Sequence, residues 1–194
     1  MTPPPPDDRL TLRPARMDDL AAIERLITRS AVALSVGYYS AAQTASLVRY
    51  VFGVDTQLVR DGTYYVLHND GTLAAVGGWS RRRTLYGADR AKTGEDPLLE
   101  PSHEAARIRA FFVDPQHARR GLGRRLFTAC LTAARTAGFD RLALVATLPG
   151  EPLYRALGFA EDRRSNLSLP DGMEVPVIHM SRRIDLPATS GAER

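Results

Sequence analysis

Apolar positions change period along the chain, and each change predicts a new element of secondary structure. Spacings of three and four residues predict helices beginning near Asp18 or Asp19, at Ser40, and from Gly121 to Ala137 with Gly138 as the stop. Alternating or continuous apolar runs predict strands at Leu10–Arg13, Tyr64–Leu67, Leu73–Trp79, Ala105–Val113, Arg141–Ala146, Phe159–Asp162 and Val175–Met180, with a short helix at Glu151–Leu157.

The order of these elements, β-α-α-β-β-β-α-β-α-β-β, predicts a mixed α/β sheet covered by helices. Asn69-Asp70-Gly71 is typical of a hairpin turn. Residues 81–103 form a long polar connection, of a kind that is often functional or else mobile. We expect one domain over residues 9–186, between disordered tails at 1–8 and 187–194.

The composition is that of an ordinary globular domain, with 44% hydrophobic and 25% charged residues among 194. Cys130 is the one cysteine, so no internal disulfide can form and a reducing, cytoplasmic setting is expected. No apolar run approaches the roughly 18 residues needed to span a bilayer, and the proline-rich, acidic N-terminus does not resemble a signal peptide. Neither a membrane partner nor a metal is expected.

The net charge of +4 is unevenly distributed, because four arginines crowd one short stretch. They are Arg119, Arg120, Arg124 and Arg125, with His117 beside them. Such a cluster indicates binding of phosphate, on nucleic acid or on a small cofactor, or else a solvated arginine face. Because no nucleic-acid motif or base-stacking platform accompanies it, we expect no nucleic-acid partner.

The same stretch contains a glycine-bearing turn between a strand and a helix. Asp114-Pro115 ends the strand, and Gly121-Leu122-Gly123 opens the helix. Unpaired amides and the positive dipole end of a helix N-terminus attract phosphate, and glycine lets the backbone approach it closely. A dinucleotide-binding fingerprint needs a third glycine after the first strand, and a P-loop needs Gly-Lys-Ser/Thr. This turn has neither.

The segment resembles the signature of the GNAT superfamily of N-acetyltransferases. Val113-Asp114-Pro115 and Ala118–Gly123 are similar to its Val-x-Pro and Gln/Arg-x-x-Gly-x-Gly/Ala motifs, and Leu153–Phe159 is similar to its Tyr-x-x-x-Gly-Phe segment. There are two departures from the pattern. Ala118 stands where Gln or Arg is usual, and residues 147–152 lack the asparagine that many members carry before the last helix.

The resemblance implies a mixed, mostly antiparallel sheet with a splayed central strand pair, and acetyl-CoA as the cofactor. The implied cofactor contacts are Phe111, Phe112, Val113, Arg119, Arg120, Gly121, Leu122, Gly123 and Arg124. The implied reaction is direct attack of an amine on the thioester, with Tyr154 donating a proton to the departing thiolate. The alternative for Tyr154 is a packing role on a short helix.

The attacking amine must be neutral, so a base or a desolvating pocket is required. Many relatives use a glutamate on one of the two splayed strands. The strand Arg141–Thr147 carries no acid, and Glu104 at the start of the other strand is the candidate base. A surface glutamate without a role, water relays and deprotonation in bulk solvent are the alternatives.

Two arginines on a central strand are the candidates for acceptor recognition. Alternation places Arg107 and Arg109 on one face of their strand with Phe111 and Val113. They predict either recognition of an acidic acceptor or an internal salt bridge, because unpaired buried charge is costly. Candidate salt-bridge acids are Glu24 and Asp162, and Tyr38, Tyr39 and Trp79 are candidates for the cleft wall or for the core.

The sequence therefore predicts an acetyl-CoA-dependent N-acetyltransferase that acts on an amine of a small molecule or peptide. The alternative is a non-catalytic acyl-CoA-binding regulatory module with the same fold. The sequence does not identify the acceptor, and it leaves a homodimer open.

Overall fold

The computed structural model describes residues 9–91, 94 and 96–184, which form one seven-stranded sheet flanked by helices. The strands are β1 (Leu10–Pro14), β2 (Tyr64–Asn69), β3 (Thr72–Ser80), β4 (Ala106–Val113), β5 (Arg141–Thr147), β6 (Ala160–Ser168) and β7 (Glu174–Arg183). The helices are α1 (Leu20–Leu34), α2 (Ala41–Tyr50), α3 (Thr56–Arg60), α4 (Leu122–Thr136) and α5 (Glu151–Ala156). The tails predicted at 1–8 and 187–194 lie outside the described residues.

The sheet has the order β1-β2-β3-β4-β5-β7-β6. The pair β4–β5 is parallel and the other neighbouring pairs are antiparallel. The predicted fold class, a mixed and mostly antiparallel sheet with flanking helices, is confirmed. Helix α3 was not predicted from the sequence. It is a short helix of five residues, and Asp55 caps it by accepting a hydrogen bond from the Gln57 amide at 3.1 Å.

The predicted cap of the second helix is present and that of the first is not. The Ser40 hydroxyl accepts from the Gln43 amide at 3.1 Å, and the Gln43 side chain accepts from the Ser40 amide. Asp19 instead lies in a 3-10 turn before α1, where Arg13 holds its carboxylate at 2.7 Å. Hydrogen bonding from that guanidinium lowers the pKa of Asp19 to about 2.

The core lies in two layers, one on each face of the sheet. Helices α4 and α5 cover one face, where residues such as Phe127, Leu142 and Phe159 pack together. Helices α1 and α3 cover the other face, where Ile27 and Leu58 pack on β2 and β3. The central strand β4 therefore has helices on both of its faces, whereas β5 alternates between buried and half-buried residues.

Strands β4 and β5 separate soon after they begin. Their described pairing is limited to Ala106 with Leu142 and Arg107 with Ala143, at the start of both strands. The remaining five residues of β5 pair only with β7, on its far side. The central strands therefore splay, and the opening between them lies at their carboxyl ends.

A β-bulge in β4 faces this opening. Between the pairs Val76–Phe112 and Gly78–Arg109, the single residue Gly77 stands opposite two residues of β4. One of them, Ala110, has a left-handed φ of 52°, and the Tyr64 hydroxyl donates to its carbonyl at 3.1 Å. Gly77 is required here because a Cβ would come within 2.6 Å of the neighbouring Phe111 ring.

The bulge reverses the alternation of side chains along β4. Ile108 and Phe111 pack on the face that α4 covers, whereas Ala110 and Phe112 pack on the face that α1 covers. The prediction that Arg107 and Arg109 share a face with Phe111 and Val113 is therefore wrong. The extra residue in the bulge moves Phe111 to the opposite face from Arg109.

Candidate active site

A cavity of about 230 Å³ occupies the splay between β4 and β5. Its central wall is β4 from Ile108 to Val113, with Val145 and Thr147 of β5 opposite. At one end the wall is completed by α4 and α5. At the other end it is completed by α1, the residues after α2, and part of the long connection between β3 and β4.

The glycine-bearing turn reaches the first end of this cavity through Gly123. Asp114 starts a 3-10 turn by accepting from the Gln116 amide at 2.9 Å, and Arg29 of α1 donates to the same carboxylate at 2.6 Å. The backbone is left-handed at Arg119, with φ 64°, and at Gly121, with φ 81°. Helix α4 begins directly afterwards, so its first amides point away from the helix into this turn.

The two glycines of this turn have different reasons to be glycine. Gly121 needs its left-handed φ, and a Cβ there would meet no atom within 4 Å. Gly123 lines the cavity, and a Cβ there would come within 2.9 Å of Leu153 of α5. Gly123 is therefore constrained by packing against α5, whereas Gly121 faces open space, and the reason expected from the sequence, room for a pyrophosphate, stays a prediction for both.

Four exposed arginines surround the turn, as the sequence predicts, namely Arg119, Arg120, Arg124 and Arg125. Of these, Arg124 donates a long hydrogen bond of 3.4 Å to the Ala156 carbonyl. Free space, helix amides and exposed guanidinium groups together fit a pyrophosphate. This observation, rather than any one contact, makes the turn a candidate cofactor site.

Tyr154 of α5 lies on the cavity wall and is 9% exposed. Its ring packs edge-on against Phe159 at 5.8 Å and lies 6.3 Å from the Phe111 ring on β4, measured between centroids. Burial raises the pKa of the Tyr154 hydroxyl above its usual value. The phenol therefore stays protonated at neutral pH and retains a proton to donate.

Arg109 reaches the cavity wall, but its charge is fully engaged within the protein. Its side chain is 2% exposed and pairs at 2.9 Å with Asp55, whose side chain is 1% exposed. It also donates to the carbonyls of Thr84 at 2.8 Å and Gly87 at 2.7 Å. Of the two predicted alternatives, the internal salt bridge is present, with Asp55 as the partner in place of Glu24 or Asp162.

Arg107 and Glu104 do not belong to the described cavity wall. Arg107 is half-buried at the closed end of the splay, and burial lowers the pKa of its guanidinium. Glu104 accepts from the Glu100 amide at 3.0 Å and lies 3.6 Å from the Arg83 guanidinium. The structure therefore does not bring the candidate base close to Tyr154.

The predicted aromatic residues do not line the described cavity either. Trp79 is buried against Phe139, with ring centroids 6.1 Å apart, and Tyr38 is exposed. Tyr39 is buried, and its hydroxyl donates to the Pro176 carbonyl at 2.7 Å and accepts from the Leu148 amide at 2.9 Å. Trp79 and Tyr39 are therefore core residues, which was the alternative for them, whereas Tyr38 lies at the surface and fits neither expectation.

The far end of the cavity includes part of the 81–103 connection, a segment expected from its length to be functional or mobile, and residues after α2 that no sequence pattern marks as part of a site. Residues 51–53, after α2, lie beside residues 85–87 of the β3–β4 connection. Two backbone hydrogen bonds join the segments, from the Ala88 amide to the Val51 carbonyl at 3.0 Å and from the Asp89 amide to the Val54 carbonyl at 3.1 Å. Among the described residues of the cavity wall, none is Asp, Glu or His.

Within the described residues, no helix is both long enough and apolar enough to cross a membrane.

Residues 29–159 match the model of a protein family described as the acetyltransferase (GNAT) family. No curated protein matches the chain. Among solved structures, a GCN5-related N-acetyltransferase from Rhodopseudomonas palustris has a TM-score of 0.66 and 18% identity, over 90% of this chain and 95% of that one.

Two further solved structures were determined with the coenzyme. The Thermoplasma acidophilum PaiA N-acetyltransferase, in complex with coenzyme A, has a TM-score of 0.60 and 12% identity, over 90% of this chain and 99% of that one. The yncA protein of Salmonella typhimurium, with its cofactor acetyl-CoA, has a TM-score of 0.61 and 16% identity, over 95% of this chain and 99% of that one. At these identities the likeness shows a shared fold.

Proposed function

Since the chain belongs to the acetyltransferase (GNAT) family, we propose that it transfers an acetyl group from acetyl-CoA to an amine. One observation carries the proposal. A single cavity is lined by Gly123 at the start of α4, by the bulged strand β4 and by the buried Tyr154. The proposal agrees with the coenzyme that the Salmonella and Thermoplasma structures contain.

The coenzyme would lie along the first end of the cavity. Its pyrophosphate would bind the amides between Arg119 and Gly123, and the exposed arginines would pair with further phosphate oxygens. Its pantetheine arm would lie in the splay, against the free edge of β4 from Phe111 to Val113. The bulge changes the direction of the backbone N–H and C=O groups at this edge, because the left-handed φ of Ala110 turns the peptide there.

In this proposal Tyr154 acts as the general acid. Acetyl-CoA supplies the acetyl group as a thioester, and the amine nitrogen forms a new C–N bond as the C–S bond breaks. Tyr154 holds a proton at Oη, within a pocket that keeps the phenol un-ionised, and gives it to the departing sulfur. The attacking nitrogen loses one proton to solvent as the amide forms, and the Tyr154 phenolate takes one proton back from solvent, so the enzyme ends each turnover in its starting state. Because no described wall residue is a carboxylate or imidazole, the amine has to enter in its neutral form.

Acetyl-CoA should stabilise the fold, because it binds the native state only. At about 100 times the dissociation constant, the free energy of unfolding should rise by about 2.7 kcal/mol. The measurement is a thermal melt with and without acetyl-CoA, on protein shown to be folded and free of bound coenzyme. An unchanged melting temperature at millimolar acetyl-CoA would contradict the proposal.

Gly123→Val should remove most of that stabilisation. A branched side chain there would enter the cavity wall and push against Leu153, at the place where the pyrophosphate would approach the helix. The matched control is Thr132→Val, an exposed position on the same helix. Calorimetry should show lost acetyl-CoA affinity in the first variant and wild-type affinity in the second. Equal affinities in two folded variants would place the phosphates elsewhere.

A further inference from the structure

The acceptor end of the cavity is apolar. It is the end opposite the glycine turn, and its described wall includes Leu34 of α1, Val51 and Phe52 after α2, and Leu85 and Tyr86 of the β3–β4 connection. The polar side chains at this end are the hydroxyls of Ser35 and Tyr86, and the Arg109 guanidinium. Ser30 of α1 also lines the cavity, but it lies beside Val113, whose amide it accepts from at 3.3 Å, and so belongs to the part of the cavity nearer the glycine turn.

Arg109 stabilises this wall and does not present an unpaired charge to an acceptor. Its guanidinium joins Asp55 of the α3 cap to the Thr84 and Gly87 carbonyls, which flank the wall residues Leu85 and Tyr86. A guanidinium that is 2% exposed, and that pairs with a buried carboxylate while donating to two carbonyls, is engaged mainly within the protein. The net charge that this pair presents to an acceptor is close to zero.

From this wall we infer that the acceptor is an amine carried on an uncharged apolar body, aliphatic or aromatic. The inference rests on the proposed function and names its substrate class. A carboxylate or a second ammonium would lose its water in this pocket without gaining a described partner, which is costly. An apolar body loses no hydrogen bond there, and its burial is favourable. The acidic acceptor considered from the sequence is the competing outcome.

The first test compares three amines as ligands and as substrates: 2-phenylethylamine, glutamate and spermidine. Binding is measured by calorimetry on the complex with coenzyme A, and turnover is measured with acetyl-CoA. We expect 2-phenylethylamine to exceed both others by about 100-fold or more in kcat/KM, because each of the others carries an additional charge into the pocket. A kcat/KM for glutamate or spermidine equal to or above that of 2-phenylethylamine would overturn the inference.

The second test changes the wall itself. Leu85→Gln puts a polar side chain of similar length on the apolar wall, and Leu98→Gln makes the same change at an exposed position of the same connection, outside the described wall. The Leu85 variant should bind 2-phenylethylamine about tenfold more weakly. The Leu98 variant should bind it as the wild type does. Equal affinities in the wild type and the Leu85 variant would overturn the inference.

The two tests separate this inference from the proposed function. If 2-phenylethylamine binds in a Leu85-dependent manner and no amine is acetylated, the acetyl transfer is wrong and the apolar acceptor site stands. If 2-phenylethylamine does not bind the coenzyme A complex, the inference is overturned. Acetyl-CoA affinity, measured by the melt above, decides the cofactor site independently of both results.

Discussion

Tyr154→Phe should lower the single-turnover rate of acetyl transfer by about 10² to 10⁴-fold, the range for removal of a positioned general acid. The substitution removes only the hydroxyl and keeps the ring contacts with Phe111 and Phe159. Stability and acetyl-CoA affinity should therefore change little. Single-turnover rates are the appropriate comparison, because slow product release in the wild type would reduce the difference in kcat.

The matched control is Tyr50→Phe, the same change at a half-buried tyrosine outside the described cavity wall. It should leave the rate unchanged. A Tyr154→Phe variant with the wild-type single-turnover rate would remove Tyr154 from the mechanism, while leaving the cofactor site untouched.

The pH dependence of the wild type follows from the direction of the Tyr154 pKa shift. Burial disfavours phenolate, so the pKa lies above the usual value of about 10, and the proton is present throughout the neutral and mildly alkaline range. The value of kcat/KM should rise with pH up to the pKa of the acceptor amine, because the amine must be neutral to attack. A decrease in kcat/KM caused by ionisation of the Tyr154 hydroxyl would occur only above about pH 10. A falling limb between pH 7 and 9 would contradict this assignment.

Arg109→Met should lower the free energy of unfolding by about 3–5 kcal/mol, because it leaves the Asp55 carboxylate buried without its charge partner. The carbonyls of Thr84 and Gly87 lose their donor as well. Chemical denaturation measures the loss. The matched control is Arg107→Met on the same strand, where no salt bridge is broken at a buried acid, and the cost should be about 1 kcal/mol or less.

A double-mutant cycle then tests the pairing. Asp55→Asn removes the buried charge and keeps an oxygen for the Gln57 amide that begins α3. Added to Arg109→Met, it should recover part of the lost stability, since no uncompensated charge is left. Strictly additive losses, or a loss below about 1 kcal/mol for Arg109→Met alone, would show that the pair does not hold this wall.

What could be predicted from the sequence was local. The glycine turn, the Asp114-Pro115 stop and the following helix are encoded within about ten consecutive residues, and the structure has them at the positions expected. The fold class and the family are confirmed, and the predicted order of elements matches the structure except for α3, which was not predicted. The general-acid role of Tyr154 stays a prediction, although the residue lies on the cavity wall with its pKa raised by burial.

What could not be predicted depends on contacts between distant segments. Asp55 lies 54 residues from Arg109 in sequence, so no local pattern identifies it as the partner. The bulge at Ala110 breaks the alternation on which the face of each arginine was assigned. One signal was present in the sequence: consecutive glycines at positions 77 and 78 of a strand are typical of a bulge or of close backbone approach.

The central claim is tested most directly by following both products of the reaction in one experiment. The folded protein is incubated with acetyl-CoA and an excess of 2-phenylethylamine, glutamate or spermidine in turn. Free thiol is titrated, and the amine is analysed by mass spectrometry. We predict that one thiol is released for each acetyl group found on amine nitrogen, and that both fall together in Tyr154→Phe. Protein that binds acetyl-CoA but releases no thiol and acetylates none of these amines above the uncatalysed rate would contradict the account.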